Sequence, residues 1–255
     1  MEDSSRFSDS AGVPWAGRSF TDNPFKNDDG TADKDLHKAL LEFKSGNASA
    51  TEVAVAFASA RVLIPLVANL GEEGVTEAGL KTDKSAELSI VTVSCPDGQT
   101  ALPVFSSVAA MKEWNPEARP VPNSGRAAAL AAASEGNTRI VLDALAETEF
   151  VFRRPAIAAI AQGLPWSAPD QNSEVQGIIQ AFLSELDWVD SFELANGDPG
   201  ATLDGQELLI SLFLEPGLQD SDLATLEKKF FAQLTNSERF LELVDSVAVK
   251  YRMAN

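Results

Sequence analysis

Few side chains in this chain can do chemistry near neutral pH: one histidine, His37, one cysteine, Cys95, and one tyrosine, Tyr251, in 255 residues. Proton transfer and nucleophilic catalysis at that pH run mostly through imidazole and thiolate groups. A lone histidine cannot make a two-histidine metal site, and a lone cysteine cannot make an intrachain disulfide or a multi-thiolate site. Cys95 ends a strand-like run just before the turn Pro96-Asp97-Gly98, with His37 as the one available imidazole. Cys95 therefore reads as a packing residue and His37 as solvent-facing. The residues imply no cofactor and no metal, and they lean away from an enzyme. The enzyme alternative would use carboxylate or lysine chemistry, for instance Glu87 with Lys84.

Two motif matches fail on context. Residues 12–19 read GVPWAGRS, a phosphate-loop spacing with Arg18 in the lysine position. Such a loop must follow a buried strand and open a helix, whereas here Asp22-Asn23-Pro24 follows and nothing strand-like precedes. Asp28, Asp29, Asp33 and Asp35 crowd one loop, but counting back from Gly30 places Phe25 at the first calcium-ligand position. They read instead as acids gathered at a helix N-terminus.

Basic residues are the more informative group. Lys81 and Lys84 lie beside Glu87 at a strand entry; Trp114, Arg119 and Arg126 follow, and Arg153 and Arg154 close a hairpin. Together with Trp15 and Arg18 of the N-terminal segment, these are the candidate binding residues. They could form an anion or peptide pocket, or they could neutralise neighbouring acids, and both readings stand.

The elements that would position these groups follow from periodicity. Residues 1–34 carry no apolar period and read as an extended tail, although Trp15, Phe20 and Phe25 are expected to lie on the body or on a partner. Leu36, Leu40, Leu41 and Phe43 make a helical stripe, and Ser49 or Thr51 caps a second helix carrying Val53, Val55, Ala56 and Phe57. Val62 to Val67 reads as a buried strand and residues 69–85 as a long loop. Leu88 to Val93 and Ala101 to Phe105 form a hairpin, and Ile140 to Leu142 with Phe150 to Phe152 form another. Between them come a helix over residues 107–114, a proline-rich stretch over 115–125 and an alanine-rich helix over 126–134. Pro155 opens a helix that Gly163 closes. After the connector 164–171, Ser173 and Gln176 form a capping box, and the pattern continues as αββαβ. The fold class is α+β in two domains, 35–166 and 173–255, each a small mixed or antiparallel sheet with packed helices.

The formal charge is −18, and residues 167–255 supply −11 of it, with 16 acids against 5 bases. That field repels phosphate backbones and anionic lipid, so neither nucleic acid nor membrane is expected as a partner. The longest apolar run is far short of the about 20 residues that span a bilayer. The acidic start MEDSSRFSDS lacks the apolar run of a signal peptide, so a cytoplasmic protein is expected.

Several strings match one family in order and spacing. PWAGRSF, DDGTAD, LIPLVANLGEEG, GLKTDKSAELSIVTV, LPVFSSVAAMKEWNPEARPVP, LAAASEG, TEFVFRRPA and AQGLPW together resemble the actinobacterial branch of the SseB, or enhanced serine sensitivity, family. The resemblance covers residues 14–166, and residues after 173 resemble the family's C-terminal domain more loosely. It implies no catalytic residues, and the family name suggests a link to serine or amino-acid metabolism. The first expectation is therefore a non-catalytic binding or regulatory protein that contacts another protein. The alternative is a small-anion or amino-acid binder.

Overall fold

The computed structural model describes residues 28–69 and 87–254, together with Phe25 and Lys26. Among them are eight α-helices and three small sheets in an α+β arrangement. The expectations for Trp15, Arg18, Phe20, Lys81 and Lys84 fall outside the described residues, as does the loop reading of residues 70–85.

Helix α1 (Lys34–Lys44) starts at Asp33, whose carboxylate accepts the amides of Asp35 and Leu36. This satisfies donors that the first helical turn leaves unpaired. The other loop acids are also placed: Asp28 pairs with Arg61 at 3.1 Å, and Asp29 accepts from Thr31. Helix α2 (Ala50–Ser59) carries a full capping box between Ser49 and Glu52. Leu36, Leu40, Phe43, Val53 and Phe57 are buried, whereas Leu41 and Val55 face solvent.

Strand β1 (Arg61–Asn69) pairs antiparallel with β2 (Glu87–Ile90) through its second half and with β5 (Arg119–Ser124) through its first. The expected first hairpin is thereby mostly redirected. Only β3 (Val93–Ser94) pairs with β4 (Thr100–Val104), while Leu88 to Ile90 go to β1. Strand β5 forms despite Pro120 and Pro122. It is an edge strand, and two prolines two residues apart aim their missing donors to the same side, away from the ladder.

The second sheet has the order β3-β4-β6-β7, with β6 (Arg139–Leu142) parallel to β4 and antiparallel to β7 (Phe150–Arg153). Helices α3 (Val108–Trp114) and α4 (Gly125–Ser134) lie between β4 and β6 in the chain. At Gly125 an added Cβ would sit 1.8 Å from the Phe57 carbonyl oxygen, so only glycine lets α4 start this close to α2. Phe57, Phe150 and Phe152 pack in the core beneath, with neighbouring ring centroids 4.5 to 4.7 Å apart. Helix α5 (Arg154–Gln162) ends at Gly163, which takes the left-handed conformation at φ 70°.

The connector is exposed at Leu164 and Pro165 and then turns inward. Trp166 packs on the N-terminal core, and buried Ala168 donates its amide to the Thr51 hydroxyl at 3.1 Å. Helix α6 (Ser173–Leu183) is capped by Asn172, which accepts from Glu174 and Val175; the expected Ser173–Gln176 box does not form. Asn172 takes the position because its short amide reaches the same amides from one residue earlier.

Strands β8 (Val189–Asn196), β9 (Leu208–Leu214) and β10 (Val247–Met253) make the third sheet, with β9 central and β10 parallel to it. Leu208, Ile210, Leu212 and Leu214 alternate onto one face, where they meet Val175 and Ile179 of α6 and Leu226 and Phe230 of α7 (Asp220–Asn236). A short α8 (Glu238–Leu243), absent from the expected αββαβ order, leads into β10.

Candidate functional site

The two halves meet at the open edge of β7. Val151 donates its amide to Ala201 in the β8–β9 loop at 2.8 Å, so that loop covers an edge that would otherwise be unpaired. The loop is built around Asp198, which accepts the amides of Thr202 and Leu203 while its own amide bonds Asn196. Gly197 and Gly205 cross closely, leaving no room for a Cβ at either.

Two arginines stand side by side on this seam. Arg139 and Arg153 are register partners on β6 and β7, a like-charge pairing that would be unfavourable alone. Both are buried, and the C-terminal half supplies most of their counter-charges. Asp245 takes Arg139 in a two-pronged contact, 2.9 Å from Nη1 and 2.7 Å from Nη2, while Asp97 accepts from Nε at 2.9 Å. Arg153 Nη2 donates to Asp198 and to the Gly205 carbonyl, each at 2.7 Å, and Nη1 donates to Ser246 at 3.1 Å. Removing either half of such a buried pair leaves an uncompensated charge.

Glu207 lies behind these pairs with 8% of its surface exposed. Its carboxylate accepts the Asp245 amide at 2.6 Å. Burial pushes its pKa up to about 7; the Asp245 amide, Arg153 and Arg139 pull the other way, and the Asp245 charge adds to the rise. A small void of about 40 Å³ beside Glu207, bordered by Trp166 and Asp170, is too small for an organic ligand.

In front of the pairs opens a polar cleft of about 630 Å³, within the size range of ligand sites. Asp97, Arg139, Arg154, Asp204, Gln206 and Asp245 are among its walls. Most of these charges neutralise one another, but Arg154 and Asp204 do not. Arg154 donates Nη2 to the carbonyls of Leu241 and Val244, and Asp204 accepts from the Thr202 hydroxyl at 2.7 Å. Among the described residues, neither has an opposite charge within 4.0 Å.

Of the candidate binding residues, the cleft gathers only Arg153 and Arg154. Trp114 is half-buried and stacks on Phe105 with centroids 5.3 Å apart, so it offers no aromatic surface patch. Arg126 donates to the last carbonyls of α5, Ala161 and Gln162, each at 3.2 Å, which completes a helix C-terminus. Arg119 is exposed at the start of β5 and does not line the cleft. The backbone of Glu87 pairs with Asn69, and its side chain lies outside the described residues. Arg139, Asp97, Asp204 and Asp245 were not singled out from the sequence. The signals available were charges at the ends of apolar strands and the Gly/Asp-rich loop over 197–205.

His37 is exposed on α1. Cys95 is half-buried at the start of the turn between β3 and β4 and is not part of the cleft wall; burial, with the Asp97 charge adding, raises its thiol pKa, which keeps it protonated. Among the described residues no three acids, histidines or cysteines gather as metal ligands, and no helix is long and apolar enough to cross a membrane.

Residues 36–159 match the family model of the SseB protein N-terminal domain. The protein belongs to the SseB family. No curated protein and no solved structure matches the chain. The SseB match begins in α1 and ends in α5, so it contains Arg139, Arg153 and Arg154 but none of Asp198, Asp204, Glu207 and Asp245. The cleft is thus shared between the SseB N-terminal domain and the residues that follow it.

Proposed function

We propose that this SseB-family protein acts by binding, and that a small polar ligand occupies the cleft between its two halves. The observation that carries this reading is a cleft of ligand size whose walls hold charges of both signs. The chemistry of the walls favours binding over catalysis. The guanidinium groups of Arg139 and Arg153 are held by carboxylates, the nearby thiol is protonated, and Glu207, the carboxyl group raised towards neutrality, is buried behind the seam. A small ligand is preferred to a flat protein interface because Trp114 is packed against Phe105. The joint also makes such binding consequential, because a ligand there touches both halves. On this reading residues 35–166 and 173–255 are two domains, the second the SseB C-terminal domain, with ligand affinity coupled to how they dock.

The test is a thermal-shift screen of the full chain against a library of polar metabolites, repeated on Gln206→Trp. Gln206 is an exposed residue of the cleft wall, and a tryptophan there would fill the cleft without disturbing the buried pairs. Compounds that raise the Tm of the wild type are expected to lose their effect on the variant. Stabilisers that act equally on both proteins would contradict the reading.

A further inference from the structure

Which ligand fits follows from the two charges the protein leaves without a counter-ion. A guanidinium has five donors. Arg154 directs Nη2 at the carbonyls of Leu241 and Val244, which leaves Nε and Nη1 without a protein acceptor among the described residues. These donors lie on different edges of the guanidinium plane, so each can make a single charge-assisted hydrogen bond to a carboxylate oxygen. Asp204 sits on the other half, in the β8–β9 loop; its Oδ2 is taken by Thr202, and Oδ1 has no donor among the described residues. The other charges of the cleft differ in this respect. Arg139 and Arg153 are held by Asp97, Asp245 and Asp198, and a ligand would have to break a buried pair to reach them. The cleft therefore presents one available cation and one available anion, on opposite halves of the chain. A dianion would leave Asp204 unmatched and face its repulsion, and a dication would do the same at Arg154. The surrounding Gln99, Gln206, Thr138 and Ser246 supply neutral donors and acceptors of the kind amide or hydroxyl groups bond.

We propose that the cleft takes a zwitterion of amino-acid to short-peptide size, its carboxylate on Arg154 and its ammonium group on Asp204. This rests on the binding reading above and adds the ligand class to it. A ligand held in this way ties α5 of the SseB N-terminal domain to the β8–β9 loop, so binding stabilises the docked arrangement of the two halves.

The experiment is an NMR titration of the full chain with four probes: glycine, triglycine, succinate and putrescine. The signals followed are the Arg154 Nε–H and the backbone amides of Gly205 and Gln206. Glycine or triglycine is expected to move all three saturably, and the tighter of the two distinguishes an amino acid from a peptide. Succinate and putrescine should bind roughly tenfold more weakly or worse, each lacking one of the two matched charges. Asp204→Asn should weaken the zwitterion by roughly tenfold while leaving succinate no weaker, and Asp204→Glu should restore it. Asp204 is exposed, so neither change threatens the fold. Saturable binding of succinate or putrescine as tight as the zwitterions, or no effect of Asp204→Asn, overturns the ligand class while leaving the cleft a binding site. Absence of saturable shifts with every probe overturns the class as well, and if no compound of the polar library moves these signals, the binding reading fails with it.

Discussion

Replacing Glu207 with glutamine removes a titrating group from the seam while keeping an oxygen to accept the Asp245 amide, 2.6 Å away in the native protein. The native carboxyl group titrates at about 7, raised by burial from the ordinary 4.5. Its folded pKa is above its unfolded one, so the folded state binds the extra proton between those values. The stability this group contributes is fully present below about pH 4.5 and is lost as pH rises through about 7. One pKa unit corresponds to about 1.36 kcal/mol, which gives a loss of about 3 kcal/mol across the window. Asp170, whose pKa burial also raises, works in the same direction, but it is present in both proteins and cancels in the comparison. The assay is urea unfolding of wild type and Glu207→Gln at intervals from about pH 4.5 to about pH 8.5. The variant should gain on the wild type steadily from about pH 5 to about pH 7.5, by about 3 kcal/mol in all, and the difference should then level off. A difference that does not change with pH, or one that grows as pH falls, would refute the reasoning.

Asp198→Ala strips Arg153 of its closest carboxylate and unties the β8–β9 loop, so a loss of about 3–5 kcal/mol is expected in denaturant unfolding; less than about 1 kcal/mol would mean the pair is not what anchors the loop. Gly125→Ala forces a Cβ to 1.8 Å from the Phe57 carbonyl oxygen, so α4 must shift; a cost of at least about 2 kcal/mol or failure to fold is expected, and a neutral change in Tm would contradict the close approach. Limited thermolysin digestion should cut first near Leu164, in the exposed part of the connector, and leave two folded pieces. Resistance at that site, or fragments that lose their structure once cut, would argue for one cooperative unit.

Local rules carried the reading of most helices. The stripe Leu36, Leu40, Phe43 and a capping residue at Ser49 or Thr51, of which Ser49 takes the role, mark α1 and α2, Pro155 and Gly163 bracket α5, and the apolar runs at 140–142 and 150–152 pair as expected. What escaped depends on partners distant in the chain. Leu88 to Ile90 look equally suited to a hairpin or to β1, and only the free half of β1 decides between them. Strand β5 carries two prolines that local propensity reads as a breaker, and its edge position is a fact of topology. The site follows the same division. Arg153 and Arg154 stand out as adjacent charges closing an apolar strand, but Arg153 meets Asp198 across 45 residues and Arg139 meets Asp245 across 106. Charge pairs at such separations leave no periodic trace in the sequence.

The central claim is that the cleft between the halves is where this SseB-family protein binds its ligand. The most direct measurement is a crystal structure of the full chain with the strongest stabiliser from the polar library. The account predicts the compound between α5 and the β8–β9 loop, in contact with Arg154 and Asp204 and with the Arg139–Asp245 and Arg153–Asp198 pairs intact. A stabiliser seated elsewhere, for example on the outer face of the sheet β8-β9-β10, with the cleft unaltered, would contradict it.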